Sequence, residues 1–206
     1  MQRLRDLVER HGLDGATAWL DDVLAGVSPQ TLGKVRIALA RCARRVGDAA
    51  LEVESLPGWT ARDAARAAIV LRAFEVAEDA AAAYGQWLRR GEQGEQESLL
   101  RMLPLLPGPR ALVSHAVDAC RTNSEVVFRA IACDNPFPAT HFPPLNFNQL
   151  VLKAVFLGVP VAAIRGLENR VTDELLRMAD DFAAERTAAS RPVPEDVALL
   201  HRIAER

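Results

Sequence analysis

Apolar positions recur every three to four residues through long stretches rich in Ala, Leu and Arg, and the alternating Val, Ile and Thr runs that mark strands are missing. This spacing predicts an all-α chain. Caps and breakers divide it into about nine helices, arranged as an irregular bundle or a short HEAT-like stack of antiparallel helical hairpins. No exact repeat of fixed period is present. The first helices are expected over residues 2–11 and 16–25, split by glycines at 12 and 15. Ser28 is placed to cap a helix over 29–46, with Pro29 in its first turn. Thr60 is placed to cap the longest stretch, 61–90, whose many alanines let helices approach closely. Shorter helices are expected over 95–103, 109–121, 124–133 and 145–157, each bounded by Pro, Gly or a polar cap. Thr122 and Glu125 have capping-box spacing. Helices over 171–189 and 194–204 complete the chain.

Size and charge narrow the class. The 206 residues suit one domain spanning 1–206, and 50% hydrophobic with 25% charged residues is a globular balance. With a net charge of −2 and acidic and basic residues interspersed, nucleic acid is not an expected partner. Cys42, Cys120 and Cys133 are odd in number and lack CxxC spacing, so buried free thiols are expected. The opening MQRLRDLVERHG lacks the apolar core of a signal peptide. The most apolar stretch, 150–164, is interrupted by Lys153, Gly158 and Pro160 and is too short to span a bilayer. A cytoplasmic protein without a transmembrane segment is the expectation. Four scattered histidines without HExxH or paired cysteines predict no metal site. Neither GxGxxG nor GxSxG occurs, GEQG at 91–94 lacks the lysine of a phosphate loop, and no cofactor is expected.

Unusual chemistry concentrates in residues 121–153, which are rich in proline and phenylalanine and hold four of the five asparagines. Such a stretch is either a stiff buried connection or the lip of a pocket. In the helix over 145–157, the apolar residues leave little polar surface, so it is expected to be buried nearly all round. At 100° per residue, Asn146, Gln149 and Lys153 form one stripe, facing either solvent or a cavity, and Asn148 points the other way as a structural amide. Lys153 stands out because the chain has two lysines against twenty-three arginines. A compact ammonium binds an anion, forms an imine or acts as a base where a guanidinium would not serve; snorkelling to water is the plainer reading. His141, stiffened by Pro138, Pro143 and Pro144, could be oriented by Asp134, which could equally complete the turn at Asn135-Pro136. Arg121, Glu125 and Arg129 read as helix-surface ion pairs, with an acidic substrate at Arg121 as the lesser reading.

Residues 133–170, CDNPFPATHFPPLNFNQLVLKAVFLGVPVAAIRGLENR, resemble the EboA family. The resemblance rests on Asp134-Asn135-Pro136, His141-Phe142, the run from Asn148 to Ala154, Gly158-Val159-Pro160 and Gly166-Leu167, with Arg121-Thr122-Asn123 in keeping. It implies a small helical accessory protein encoded beside a prenyltransferase-like membrane protein, a TatD-like hydrolase and a sugar-phosphate-cyclase-like enzyme. Such clusters are associated with making or trafficking a secondary metabolite, in cyanobacteria toward the periplasm.

Two functions follow. The first is an accessory protein that binds a small metabolite or a partner protein of the same gene cluster, with Arg121, Asn123, Asn135, Asn146, Asn148 and Gln149 as candidate ligand-binding residues. The alternative is a biosynthetic enzyme, a cyclase, isomerase or lyase, with Lys153, His141 and Asp134 as catalytic acid–base groups in a helical pocket. A homodimer is a further option.

Overall fold

In a computed structural model, which describes residues 1–205, the helical spacing resolves into twelve α-helices and no strand among the described residues. The chain is all-α. It divides into two compact units, Met1–His115 and Ala116–Arg206. The first holds α1 (Gln2–His11), α2 (Ala16–Gly26), α3 (Val35–Arg45), α4 (Ala61–Val76), α5 (Ala80–Arg90) and α6 (Gln93–Arg101). The division falls inside α7 (Pro109–Ala119). The second holds α8 (Glu125–Ala132), α9 (Phe137–His141), α10 (Pro144–Leu157), α11 (Asp173–Ala188) and α12 (Glu195–Ala204).

The first unit is built around α4. Thr60 and Asp63 cap it reciprocally: the Asp63 amide donates to Thr60 Oγ1 at 3.3 Å and the Thr60 amide to an Asp63 carboxylate oxygen at 2.9 Å. Buried alanines at 61, 64, 65, 67, 68 and 73 cover several sides of the helix. With no bulk to keep neighbours away, α1, α2, α3, α5 and α6 all pack on it. Two charges are carried inside as well, Asp63 at 1% and Arg66 at 3% exposure. Buried charges persist only when paired and hydrogen-bonded. Arg66 donates to the Leu39 carbonyl at 3.0 Å and to Ser98 Oγ at 2.8 Å, Ser98 donates to Asp63, and Arg101 reaches Asp63 at 3.3 Å. Burial pulls the Arg66 pKa below the usual arginine value.

Four local boundaries differ from the sequence expectation. The stretch 61–90 breaks after Val76, where Asp79 accepts the Ala82 amide at 2.9 Å and starts α5 afresh. The stretch 29–46 opens as a 3-10 turn, Pro29–Lys34, because Thr31 Oγ1 accepts the Ser28 amide and donates to the Gly26 carbonyl, both at 2.8 Å. Ser124 rather than Thr122 caps α8; Thr122 Oγ1 instead accepts the Ser124 amide at 3.1 Å. The proline-rich loop contains the short helix α9, whose prolines occupy the first-turn positions where no amide donor is required.

In the second unit α8 and α11 pack on α10, α9 packs on α8, and α12 packs on α11. Phe128, Phe137 and Phe147 are among its fully buried side chains. Helix α10 is not buried all round: Leu145 is 57% and Phe156 70% exposed. Its core side carries Phe147, Leu150, Val151, Ala154 and Val155, and its apolar composition overstates its burial because both ends project aliphatic and aromatic groups outward. No helix among the described residues is long and apolar enough to cross a membrane.

Candidate functional site around Lys153

The last residues of α7 and the turn after it leave backbone carbonyls without helical partners. Lys153, reaching across from α10, supplies two of the missing donors: its ammonium donates to the carbonyls of Cys120 and Thr122, both at 2.6 Å. A compact cation suits two converging carbonyls and the negative end of a helix dipole, and the Phe128 ring lies 5.1 Å away to favour the charge further. Two of its three N–H donors are thereby used.

Asn146, Gln149 and Lys153, the stripe read from helical spacing, line one cleft of about 150 Å³ together with Arg121, Cys120 and Phe142. A second, apolar groove of about 460 Å³ also has Lys153 in its wall, beside Leu152, Phe156, Leu157 and Phe182. Thr122 and Asn123 complete its polar edge. Phe156 and Phe182 meet edge to face with centroids 6.3 Å apart. Lys153 thus stands between a small polar recess and a larger apolar one. Burial raises the Cys120 thiol to about 12, with the Lys153 charge acting in the opposite direction.

Asn148, Asn135, Asp134 and His141 are placed apart from this cleft, whereas Arg121 lines it. Asn148 is 3% exposed and, at helical spacing, shares the core side of α10 with Val151 and Val155. Asn135 is an Asx-turn residue: its amide donates to the Ala130 carbonyl at 3.1 Å and its oxygen accepts the Phe137 amide at 3.0 Å. Asp134 has φ 53 and lies 3.7 Å from Arg165, while its own amide donates to the Ala163 carbonyl at 2.8 Å. The His141 ring packs on Phe137 with centroids 4.8 Å apart. Arg121 is exposed and pairs with Asp118 at 3.3 Å; Glu125 and Arg129 form the expected i,i+4 pair at 2.8 Å.

Arg170 was not singled out by the sequence. It donates to the Ala139 carbonyl, and to that of Phe142 at 2.9 Å, and its guanidinium lies 4.6 Å from the Phe147 ring centroid. One side chain thereby ties the proline loop to α10 and holds Phe142 in place at the cleft wall. An arginine that bridges two loop carbonyls has no local signature, since its partners lie about thirty positions upstream. Gly166 allows the same closeness: it has φ 75, and a Cβ there would stand 2.8 Å from that of Ala139.

Fold and cleft define a helical protein with a small-molecule-sized recess and, among the described residues, no group of side chains fit to hold a metal. The chain belongs to the EboA family: the family's sequence model, described as metabolite traffic protein EboA, matches residues 2–201. That description supports a metabolite-related accessory role. No curated protein and no solved structure matches the chain.

Proposed function

We propose that this protein is an accessory component of a secondary-metabolite biosynthesis or trafficking cluster, working in the cytoplasm as one EboA-like domain, and that it binds a small metabolite beside Lys153. The observation that carries the reading is the convergence of Asn146, Gln149, Arg121 and Lys153 on one cleft. Sizes decide what kind of ligand fits. A recess of about 150 Å³ is below the roughly 300 Å³ of ordinary ligand pockets, whereas the adjoining groove of about 460 Å³ is within their range. The ligand is therefore an amphipathic molecule with a small polar group in the recess and its apolar body along Phe156 and Phe182. Partner proteins of the same cluster and a second copy of the chain are the other occupants in keeping with the exposed Phe156.

The enzyme alternative, a cyclase, isomerase or lyase, gives Lys153, His141 and Asp134 a shared acid–base task. Each has partners of its own, two carbonyls for Lys153, the Phe137 ring for His141 and Arg165 for Asp134, which favours binding. Native mass spectrometry of protein purified from a strain expressing the cluster tests the proposal. A co-purifying small molecule that is lost from Gln149→Leu and Phe156→Ala supports it. Protein that carries no compound and captures no cluster-encoded partner refutes it, and pathway product that vanishes in His141→Ala with the compound still bound favours the enzyme.

A further inference from the structure

The near-neutral total charge conceals a strongly basic stretch. No Asp or Glu occurs between Asp22 and Asp48, while Lys34, Arg36, Arg41, Arg44 and Arg45 do. All five are exposed, and among the described residues none takes part in an ion pair or a side-chain hydrogen bond. Exposed arginines at 121, 129, 165 and 177 each have a carboxylate within 4 Å. Those at 10, 89, 90, 110, 191 and 202 form no ion pair among the described residues, but all except Arg110 have acidic residues closer along the chain than Lys34, Arg36 and Arg41 do. A protein of net charge −2 thus leaves a block of positive charge uncompensated on α3 and the turn before it.

That block borders a groove. Between α2 and α3 lies a recess of about 430 Å³, walled by Trp19, Val23, Val27, Ile37, Lys34 and Arg41, with Asp22 as its one carboxylate. Trp19 is half-buried and Ile37 is 50% exposed, so an indole and an aliphatic surface are presented to whatever enters. The far end is stiffened by the Ser28–Thr31 capping box and by the Thr31 bond to the Gly26 carbonyl, so the shape exists before any ligand arrives. An apolar, ligand-sized recess with a few charged groups at its wall is the general form of a small-molecule site. The two cations at the wall and the uncompensated charge around them select the sign of the ligand.

We propose that this groove binds a small organic anion with an apolar body: a carboxylate, sulfonate or phosphate ester, its charge between Lys34 and Arg41 and its ring or chain against Trp19 and Ile37. The site uses none of the residues around Lys153 and stands independently of the function proposed for them. A ligand rather than a flat surface is indicated because the cations at the groove flank a concavity, not a plane.

The test is a titration of the full chain with naphthoate and naphthyl phosphate, followed by isothermal calorimetry and by Trp fluorescence, with neutral naphthamide as the control. Trp59 and Trp87 are buried at 5% and 6% exposure, so after correction for naphthyl absorbance the part of the fluorescence change that disappears in Trp19→Phe reports contact at Trp19. Both anions are expected to bind at least about tenfold more tightly than naphthamide, a difference of one decade in Kd. The double variant Lys34→Gln/Arg41→Gln should lose about that decade, whereas Arg36→Gln/Arg44→Gln, off the groove, should retain most of the affinity. Circular dichroism of these surface variants checks that they are folded. Equal binding of naphthamide, equal loss in both double variants, or binding only to vesicles of anionic lipid or to an acidic peptide and not to the free anions would overturn the proposal.

Discussion

The Arg170 guanidinium lies 4.6 Å from the centroid of the Phe147 ring while its nitrogens donate to the carbonyls of Ala139 and Phe142. Removing the planar fork while keeping apolar bulk, as in Arg170→Met, leaves both carbonyls without that donor. Hydrogen bonds to a charged group are worth about 1.5–3 kcal/mol, so a loss of roughly 2 kcal/mol is expected in urea unfolding. Arg170→Lys should recover only part of it, because one ammonium cannot reproduce the fork. Stability equal to wild type in Arg170→Met would show the tether to be unimportant.

Gly85 on α5 faces the ring of His115, where an added Cβ would come closer to Cε1, Nε2 and Nδ1 than side chains normally allow. Alanine should stabilise a helix by about 1 kcal/mol over glycine. Here the gain is opposed by displacement of His115, whose ring is also tilted against Tyr84 at 6.4 Å. In a thermodynamic cycle, Gly85→Ala should be neutral or destabilising in wild type and stabilising in the His115→Ala background, with a coupling of about 1 kcal/mol. Additivity of the two changes would count against the contact.

Burial raises the thiols of Cys42 and Cys120 to about 12, and raises Cys133 as well, opposed there by Arg129. At pH 8 a thiol of pKa 12 is about one part in ten thousand thiolate. Iodoacetamide should therefore modify Cys133 first and leave Cys42 and Cys120 nearly untouched, read by peptide mass spectrometry. The sign for stability follows from linkage: an unfolded thiol loses its proton above about 8.5 while the folded one keeps it. The stability contributed by these thiols is full below that pH and declines as pH rises toward 12. Rising stability over this range in wild type but not in Cys42→Ser/Cys120→Ser would contradict the assignment.

Asp63 and Arg66 share Ser98 inside the first unit. Arg66→Met should cost about 3–5 kcal/mol in chemical denaturation, since it removes one member of a buried charged set. Adding Asp63→Asn should restore part of that loss, because the carboxylate left behind is then uncharged. Two strictly additive losses would mean that the charges do not compensate one another.

The helical class was legible from spacing because every three-to-four-residue apolar interval constrains its own segment. The polar stripe of Asn146, Gln149 and Lys153 was legible for the same reason, being fixed by rotation along one helix. Its surroundings were not. That Lys153 would meet the carbonyls of Cys120 and Thr122, or Arg170 those of Ala139 and Phe142, depends on how the chain returns on itself some thirty residues away. The break at Asp79 and the exposure of Phe156 were missed because a short cap interrupts an Ala-rich pattern without altering its average, and apolar residues register as core wherever they fall. Likewise the five cations of residues 34–45 vanished into the even total charge until α2 and α3 formed a groove beside them. Spacing and motifs along the chain were enough for the helical class, the polar stripe of α10 and the family. Tertiary packing decided which polar groups meet, because hydrogen bonds and clefts belong to surfaces that come together only when distant segments fold onto one another.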